Sequence, residues 1–356
     1  MVSTQPTKQG VFSMRSIIGY ATGSAASLLV ASSWLPAQAV RAATGTIAAV
    51  TAQSSTESVS AYESLINQGQ EQLDNRDFEA ALATFSEATE NAPSIPRGWV
   101  GKGEALYGLR QFDEAAIALT QATTLAPDYL YAWVWLGNAY DDAGQLEDSL
   151  AAYGKAIALD ETNPMPYYHR GIALWYADQG ARAEADLITV TEIMADFPRG
   201  WMWLGRTLQQ QDKYNEALAA YNQSVSLDPT LPEALFGQGT VLLELERYSE
   251  ATEPFDAFLE QRPNSAIGWF YHGNSLFGKE QYEAALTSYD RSLEITEESE
   301  GAWYNRGLVL ANMDRYEEAI ESFNRVLSIN PDNTGAQQQI EALEAVDEST
   351  VPGAIS

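Results

Sequence analysis

Glycine stands at Gly69, Gly103, Gly137, Gly171, Gly205, Gly239, Gly273 and Gly307, evenly spaced and without a single insertion. Written from Tyr62 to Asn333 in eight rows of 34, the chain holds other columns in phase, with this glycine in column 8. Column 4 is Leu65, Trp99, Trp133, Tyr167, Trp201, Leu235, Trp269 and Trp303. Column 20 is Ala in every row except Ser149, and column 24 is Phe85, Leu119, Tyr153, Leu187, Tyr221, Phe255, Tyr289 and Phe323. Column 32 is Pro in five rows. Self-similarity at this period restricts the chain to a repeat architecture.

One row is legible as physics. Columns 4, 8 and 11 fall at i, i+4 and i+7, one face of a first helix, and columns 20, 24 and 27 do the same for a second. A glycine inside a helix costs about 1 kcal/mol relative to alanine, so eight in phase require a packing reason. Small residues in columns 8 and 20 let two helix axes approach while the column 4 and column 24 aromatics fill the flanks. A single helix pair cannot bury both faces, so the rows must stack.

The column set W-x2-L-G-x2-Y…Y-x2-A-x3-F…P resembles the tetratricopeptide repeat. The resemblance implies an all-α fold, a right-handed superhelical solenoid of antiparallel helix pairs whose first helices line a concave groove. The rows are 62–95, 96–129, 130–163, 164–197, 198–231, 232–265, 266–299 and 300–333. Residues 334–347, with Ile340 and Leu343, read as a polar cap helix, and 348–356 as a flexible tail. Two rows depart from the pattern. Row four has Gly180 and Val190 in columns 17 and 27, and row six has Pro254 inside its second helix, where a kink is expected.

The N-terminal part has a different character. Lys8 and Arg15 precede an uncharged stretch from Ser16 to Leu35, followed by Pro36 and Ala37-Gln38-Ala39. Positive n-region, apolar h-region and small-x-small site read as a secretory signal peptide over 1–39, cleaved after Ala39. The alternative is an uncleaved membrane anchor through 16–35, which its eight Ser, Thr and Gly residues make a poor permanent span. Residues 40–61, rich in Ala, Ser, Thr and Gln, read as a disordered tether. The expected location is exported, periplasmic or another extracytoplasmic compartment.

Composition removes several functions. The chain has no Cys, two His and a formal net charge of −29. Thiol chemistry and thiolate metal sites are excluded, and nucleic acid is disfavoured by charge. No nucleophile elbow, phosphate loop, zinc-protease helix or calcium loop is present, so neither an enzyme nor a cofactor is expected. His169 and His272 read as helix-face residues. The carboxylates read as a solvated surface of second helices and turns.

In the family the groove is lined by columns 2, 5, 6, 9, 12 and 13. Column 6 carries Trp135, His169 and Trp203 in consecutive rows, then Tyr271 after Gly237. Trp175 and Tyr176 add to this line from columns 12 and 13, and Tyr168 of column 5 is a further apolar anchor. Arg199, Trp203 and Arg206 at i, i+4 and i+7 form a cationic stripe, and Asn138 and Asn274 in column 9 are suited to bonding an extended backbone. Amphipathic aromatics of this kind are enriched in binding hot spots. Intramolecular stacking and cation–π packing is the competing reading of the same residues. The family's carboxylate-clamp subgroup needs Lys in column 5, which no row has. The expected function is a non-enzymatic adaptor that binds a protein or peptide in the groove, with a role in assembly of envelope or membrane complexes. The alternatives are a self-associating rod (a homo-oligomer) and a glycan-binding scaffold of an envelope polysaccharide system. Any membrane contact is expected only through an uncleaved N-terminal segment.

Overall fold

The computed structural model describes residues 56–350, so the signal-peptide and anchor readings, the tether up to residue 55 and residues 351–356 lie outside it. The described residues form two compact units, 56–195 and 196–350. Every element in them is helical.

The first unit contains α1 (Thr56–Asp74), α2 (Phe78–Asn91), α3 (Pro96–Gly108) and α4 (Phe112–Leu125). It continues with α5 (Leu130–Asp142), α6 (Leu146–Leu159), α7 (Pro164–Tyr176) and α8 (Gly180–Ile193). The second unit opens with α9 (Pro198–Gln210), α10 (Tyr214–Leu227), α11 (Pro232–Glu244) and α12 (Tyr248–Gln261). It ends with α13 (Ala266–Gly278), α14 (Tyr282–Ile295), α15 (Glu300–Asn312), α16 (Tyr316–Ile329) and α17 (Thr334–Thr350). From α3 onward each first helix starts one full period after the last, and each second helix likewise from α2. Four of the first helices begin on Pro96, Pro164, Pro198 or Pro232, where the missing N–H would have no intrahelical partner anyway.

The column 8 glycines have the packing reason their cost demands. A Cβ built on Gly137 would lie 2.4 Å from the Tyr153 ring, and one on Gly69 2.6 Å from Phe85. In all eight rows the nearest atom to that Cβ belongs to the column 24 side chain of the same row. Those side chains are the centre of the core: Phe85, Leu119, Tyr153, Leu187, Tyr221, Phe255, Tyr289 and Phe323 are each at most 2% exposed. The column 4 tryptophans do more than fill a flank. The indoles of Trp99, Trp133 and Trp269 donate to the carbonyls of Pro93, Pro127 and Pro263 at 2.8–2.9 Å, tying each first helix to the turn before it.

The turn between paired helices contains a feature that column reading does not reveal. Column 15 is left-handed in every row: Arg76, Arg110, Asp178, Asp212, Glu246, Glu280 and Asp314 have φ of 57–61°, and Gly144 has φ 75°. The bonding is that of a Schellman cap, with Arg110 N–H donating to Tyr107 O and Gln111 N–H to Leu106 O, both at 2.9 Å. Glycine is the residue that adopts this conformation without steric cost, yet only one of the eight rows uses it.

In four rows column 7 forms a second unforeseen device, a polar clasp to column 23 of its own row, to column 25 of the row before, or to both. Arg306 donates to Ser322 Oγ and Asp290 Oδ1 at 2.7 Å each. Arg170 makes a bidentate pair with buried Asp186, both bonds 2.7 Å. Gln238 donates to Asn222 at 2.7 Å.

Several boundaries differ from expectation. α1 begins at Thr56, so residues 56–61 are helical rather than tether. The reason is packing: Tyr62 is buried and its hydroxyl accepts from the Gly98 amide at 3.0 Å, which extends the packed face N-terminally. α17 runs to Thr350, three residues into the expected tail. It serves as an added first helix: Ala336 and Leu343 join the core with Phe323, and Gln337 donates to Pro331 O at 3.1 Å, the bond made elsewhere by tryptophan. α12 is unbroken through the buried Pro254, and α8 starts on Gly180 in register with its counterparts.

Candidate functional site

Four of the ten expected groove residues, Trp135, Asn138, Tyr168 and Asn274, are buried, and the other six are half-buried. Tyr168 is 5% exposed and packs edge-to-face on His169, ring centroids 5.4 Å apart. Trp135 is 7% exposed, with Tyr107 and Tyr131 against it at 5.3 and 6.2 Å. Asn138 and Asn274 are buried too, at 6% and 4%. Their Oδ1 atoms accept from the hydroxyls of Tyr153 and Tyr289 at 2.8 Å, and Asn274 also accepts from Asn305 Nδ2 at 2.8 Å. These asparagines serve buried tyrosines rather than a ligand backbone.

Within each unit column 6 packs against column 24 of the preceding row. Where that residue is Phe85 or Tyr221, column 6 is Gly101 or Gly237, and a Cβ on either would lie 2.3 Å from the ring. Where it is the smaller Leu119, Trp135 completes the same cluster. His169 stacks on Tyr153 at 6.2 Å and 12°, and Tyr271 on Phe255 at 6.1 Å and 15°. Burial alone pushes the His169 imidazole down to about 4, so it is neutral at pH 7. The expected aromatic line is therefore mainly inter-row packing.

Others keep partial access. Trp175 is half-buried and packs edge-to-face on Tyr176 at 4.9 Å, while Tyr176 is 56% exposed. In the second unit Arg199, Trp203 and Arg206 are half-buried, and the Arg206 guanidinium lies 5.0 Å over the Trp203 ring.

The residues that column reading overlooked are carboxylates on first helices. Glu104 of α3 is half-buried beside Asp74 of α1, Tyr131 of α5 and Tyr129 just before it. Desolvation first and the Asp74 charge second push the Glu104 carboxyl up to about 8. Asp141 of α5 is raised to about 6 by burial and then by neighbouring Asp142. Burial raises Asp142 as well, opposed by its bond from the Tyr107 hydroxyl and by Arg110. In family terms these are columns 9, 12 and 13, all groove positions. Two carboxylate pairs, Asp74 with Glu104 and Asp141 with Asp142, are thus joined through the rings of Tyr131, Trp135 and Tyr107 on α1, α3 and α5. Carboxyls held far from their ordinary range by burial and a like charge are marks of a candidate binding site.

One arrangement has the connectivity of a hydrolase triad. His272 Nδ1 lies 3.0 Å from Ser288 Oγ, and Nε2 lies 3.1 Å from Asp256 Oδ1. Ser288 is 2% exposed and its hydroxyl also lies 3.1 Å from Ala284 O. Arg306 makes the same two contacts one row later, so this is the column 7 clasp with histidine as donor. Among the described residues no group of three or more His, Asp or Glu is placed to hold a metal, and no helix is long and apolar enough to cross a membrane.

Tetratricopeptide repeat models match residues 66–129, 168–232, 203–266 and 301–333, and a TPR repeat model matches 137–177 and 273–314. Small glutamine-rich tetratricopeptide repeat-containing protein 2 of Mycosarcoma maydis is 32% identical over 82 residues, 23% of this chain and 23% of that relative. The match therefore spans about a quarter of the relative's length. Among solved structures, YrrB, described as a TPR protein with an unusual peptide-binding site, aligns with TM-score 0.51 and 22% identity, covering 54% of this chain and 99% of that one. Pseudomonas aeruginosa pilF aligns with TM-score 0.51 and 16% identity over 61% of this chain and 97% of its own. Repeats in register, a glycine–aromatic core in every row and these matches lead to one assignment: the chain belongs to the tetratricopeptide repeat family.

Proposed function

We propose that this protein is a non-enzymatic scaffold whose first-helix face in residues 56–195 holds a segment of a partner polypeptide. Tetratricopeptide repeats are in general protein-interaction modules, and YrrB is described as having a peptide-binding site. The observation that carries the reading is the cluster of half-buried rings and destabilised carboxyls on α1, α3 and α5, with the exposed Tyr176 on α7. The rings also pack on the repeat core, but the Glu104 and Asp141 carboxyls add nothing to that packing and are held there at a cost.

The test is cross-linking capture from the native cell with the wild-type chain and a Tyr131→Ala/Tyr176→Ala variant. A partner whose cross-links map to α1, α3, α5 or α7, and which the variant loses while keeping its helical content, supports the proposal. Cross-links confined to second helices, or equal capture by the variant, would sink it. The targeting pattern of residues 1–39 supports an exported scaffold acting in assembly of envelope or membrane complexes. A mature N-terminus at Val40 is the expected result of N-terminal sequencing, and retention of residues 1–39 would refute cleavage.

A further inference from the structure

We propose that the cluster on α1, α3 and α5 is a receptor for a cationic side chain, an arginine or lysine on an extended segment of the partner; this rests on the scaffold reading and names its partner's chemistry.

Three observations converge. The first is charge: Glu104 and Asp74 face each other, and among the described residues no Lys or Arg pairs with either. The nearby Arg97 is taken by Glu63 at 3.2 Å. The second is the wall: Tyr131 stands beside these carboxylates and, with Tyr107, edge-on to Trp135, and aromatic faces attract cations. The third is a buried donor. The Trp135 Nε1–H, in a residue 7% exposed, lies beside the Tyr131 hydroxyl without hydrogen-bond geometry to it and has no other acceptor. A peptide carbonyl supplies that acceptor, and a peptide cation supplies the missing counter-charge.

Proton linkage follows from the site. The groups facing Glu104 are Asp74 from α1 and Tyr129 and Tyr131 from the α5 side. No group of α2 or α4 acts on it. With its carboxyl near 8, free Glu104 is largely protonated at pH 7 and must release that proton to pair with a cation. Asp141 near 6, His169 near 4 and Tyr129 near 12 lie outside the window from pH 7 to pH 9. The peptide's α-amino group would titrate at about 7.7–8.0 and is blocked by acetylation, so the part of the slope that Glu104→Gln removes is assigned to Glu104.

The experiment titrates the full chain with a Gly/Ser peptide carrying two arginines, and with the same peptide carrying two citrullines, at physiological salt. The indole N–H resonance of Trp135, assigned by its loss in Trp135→Phe, reports binding. The expected results are a shift with arginine only, affinity falling about tenfold from pH 9 to pH 7, and a slope flattened in Glu104→Gln. Glu104→Gln and Asp74→Asn each weaken binding at pH 9 by about tenfold or more, in line with loss of a charge-assisted bond. The exposed control pair Glu114→Gln/Glu147→Gln changes it less than about twofold, as expected of surface charge. Equal weakening by the control pair would mean general acidity and overturn the proposal, as would absence of binding by either peptide. Equal binding of the citrulline peptide overturns the cation receptor while leaving the scaffold reading intact.

Discussion

The same substitution, glycine to alanine inside a helix, should have opposite effects at two positions half a period apart, Gly137 in α5 and Gly154 in α6. Alanine is favoured over glycine in a helix by about 1 kcal/mol at either position. At Gly154 nothing lies within 4 Å of the added Cβ, so the propensity gain stands alone. At Gly137 the Cβ meets Tyr153 atoms at 2.4, 2.6 and 2.9 Å, against about 3.5–4.0 Å for a relaxed carbon pair. The ring cannot withdraw freely, being 1% exposed with its hydroxyl bonded to Asn138 at 2.8 Å. Overpacking of a core costs about 1–3 kcal/mol, and the anchored ring places this site in the upper part of that range. The net expectation is a loss of about 1–2 kcal/mol for Gly137→Ala and a gain of about 1 kcal/mol for Gly154→Ala. Urea denaturation followed by far-ultraviolet circular dichroism reads this directly, with Gly154→Ala above wild type and Gly137→Ala below. Long repeat arrays lose all-or-none cooperativity, so the order of midpoints is the observable. If Gly137→Ala raised the midpoint as much as Gly154→Ala, the packing account of the glycine column would be wrong.

Other consequences follow from the turns, the clasps and the titrating groups. Glu246 is exposed at φ 57°, so Glu246→Gly should raise stability by about 1 kcal/mol, and Gly144→Ala, at φ 75°, should lower it by a similar amount in the same urea assay. A double-mutant cycle on Arg170 and Asp186 should give a coupling of about 1.5–3 kcal/mol, whereas one on the fully exposed Arg247–Glu250 pair should give no resolvable coupling. The folded-state carboxyl of Glu104 lies above its unfolded value, so the folded chain binds an extra proton between about pH 4.5 and pH 8 and loses stability as pH rises through that window. Glu104→Gln should therefore raise the thermal midpoint at pH 9 and leave it nearly unchanged at pH 4; the reverse order would refute the desolvated carboxyl. His169 has the opposite sense: its folded value near 4 lies below its unfolded 6.5, so stability present above about pH 6.5 is lost as pH falls toward 4, and His169→Phe should flatten that loss.

The fold was legible because its determinants repeat. Each column 8 glycine and each column 24 side chain states the same contact again, so a single sequence contains eight trials of one packing rule. The left-handed column 15 was not legible, because Arg76, Arg110, Glu246 and Glu280 give no compositional sign of positive φ. There the Schellman bonds and the packed helices on either side impose a conformation that side-chain chemistry alone would disfavour. The column 7 clasps were hidden differently: His272, Arg306 and Gln238 do the same work with unlike residues, and their partners lie about half a period away along the chain.

The packing of the aromatic line was not legible because an aromatic residue has two competing uses, and the sequence shows only that the residue is present. Trp135 packs in one cluster with Leu119, and Tyr271 stacks on Phe255, whereas Gly101 meets Phe85 so closely that no Cβ fits. Groove character arises instead along a diagonal of the array: column 13 of one row, column 9 of the next and column 2 of the row after, here Asp74, Glu104 and Tyr131. Stacking brings these together from three successive rows, a relation that no single column displays. Other diagonals inside a single unit read Gly108-Asn138-Met165, Gln210-Thr240-Ile267 and Glu244-Asn274-Gly301. None sets two carboxylates against each other. A repulsive pair kept at one diagonal, at a cost to stability that Glu104→Gln would relieve, is better explained by a bound cation than by the packing of the repeat.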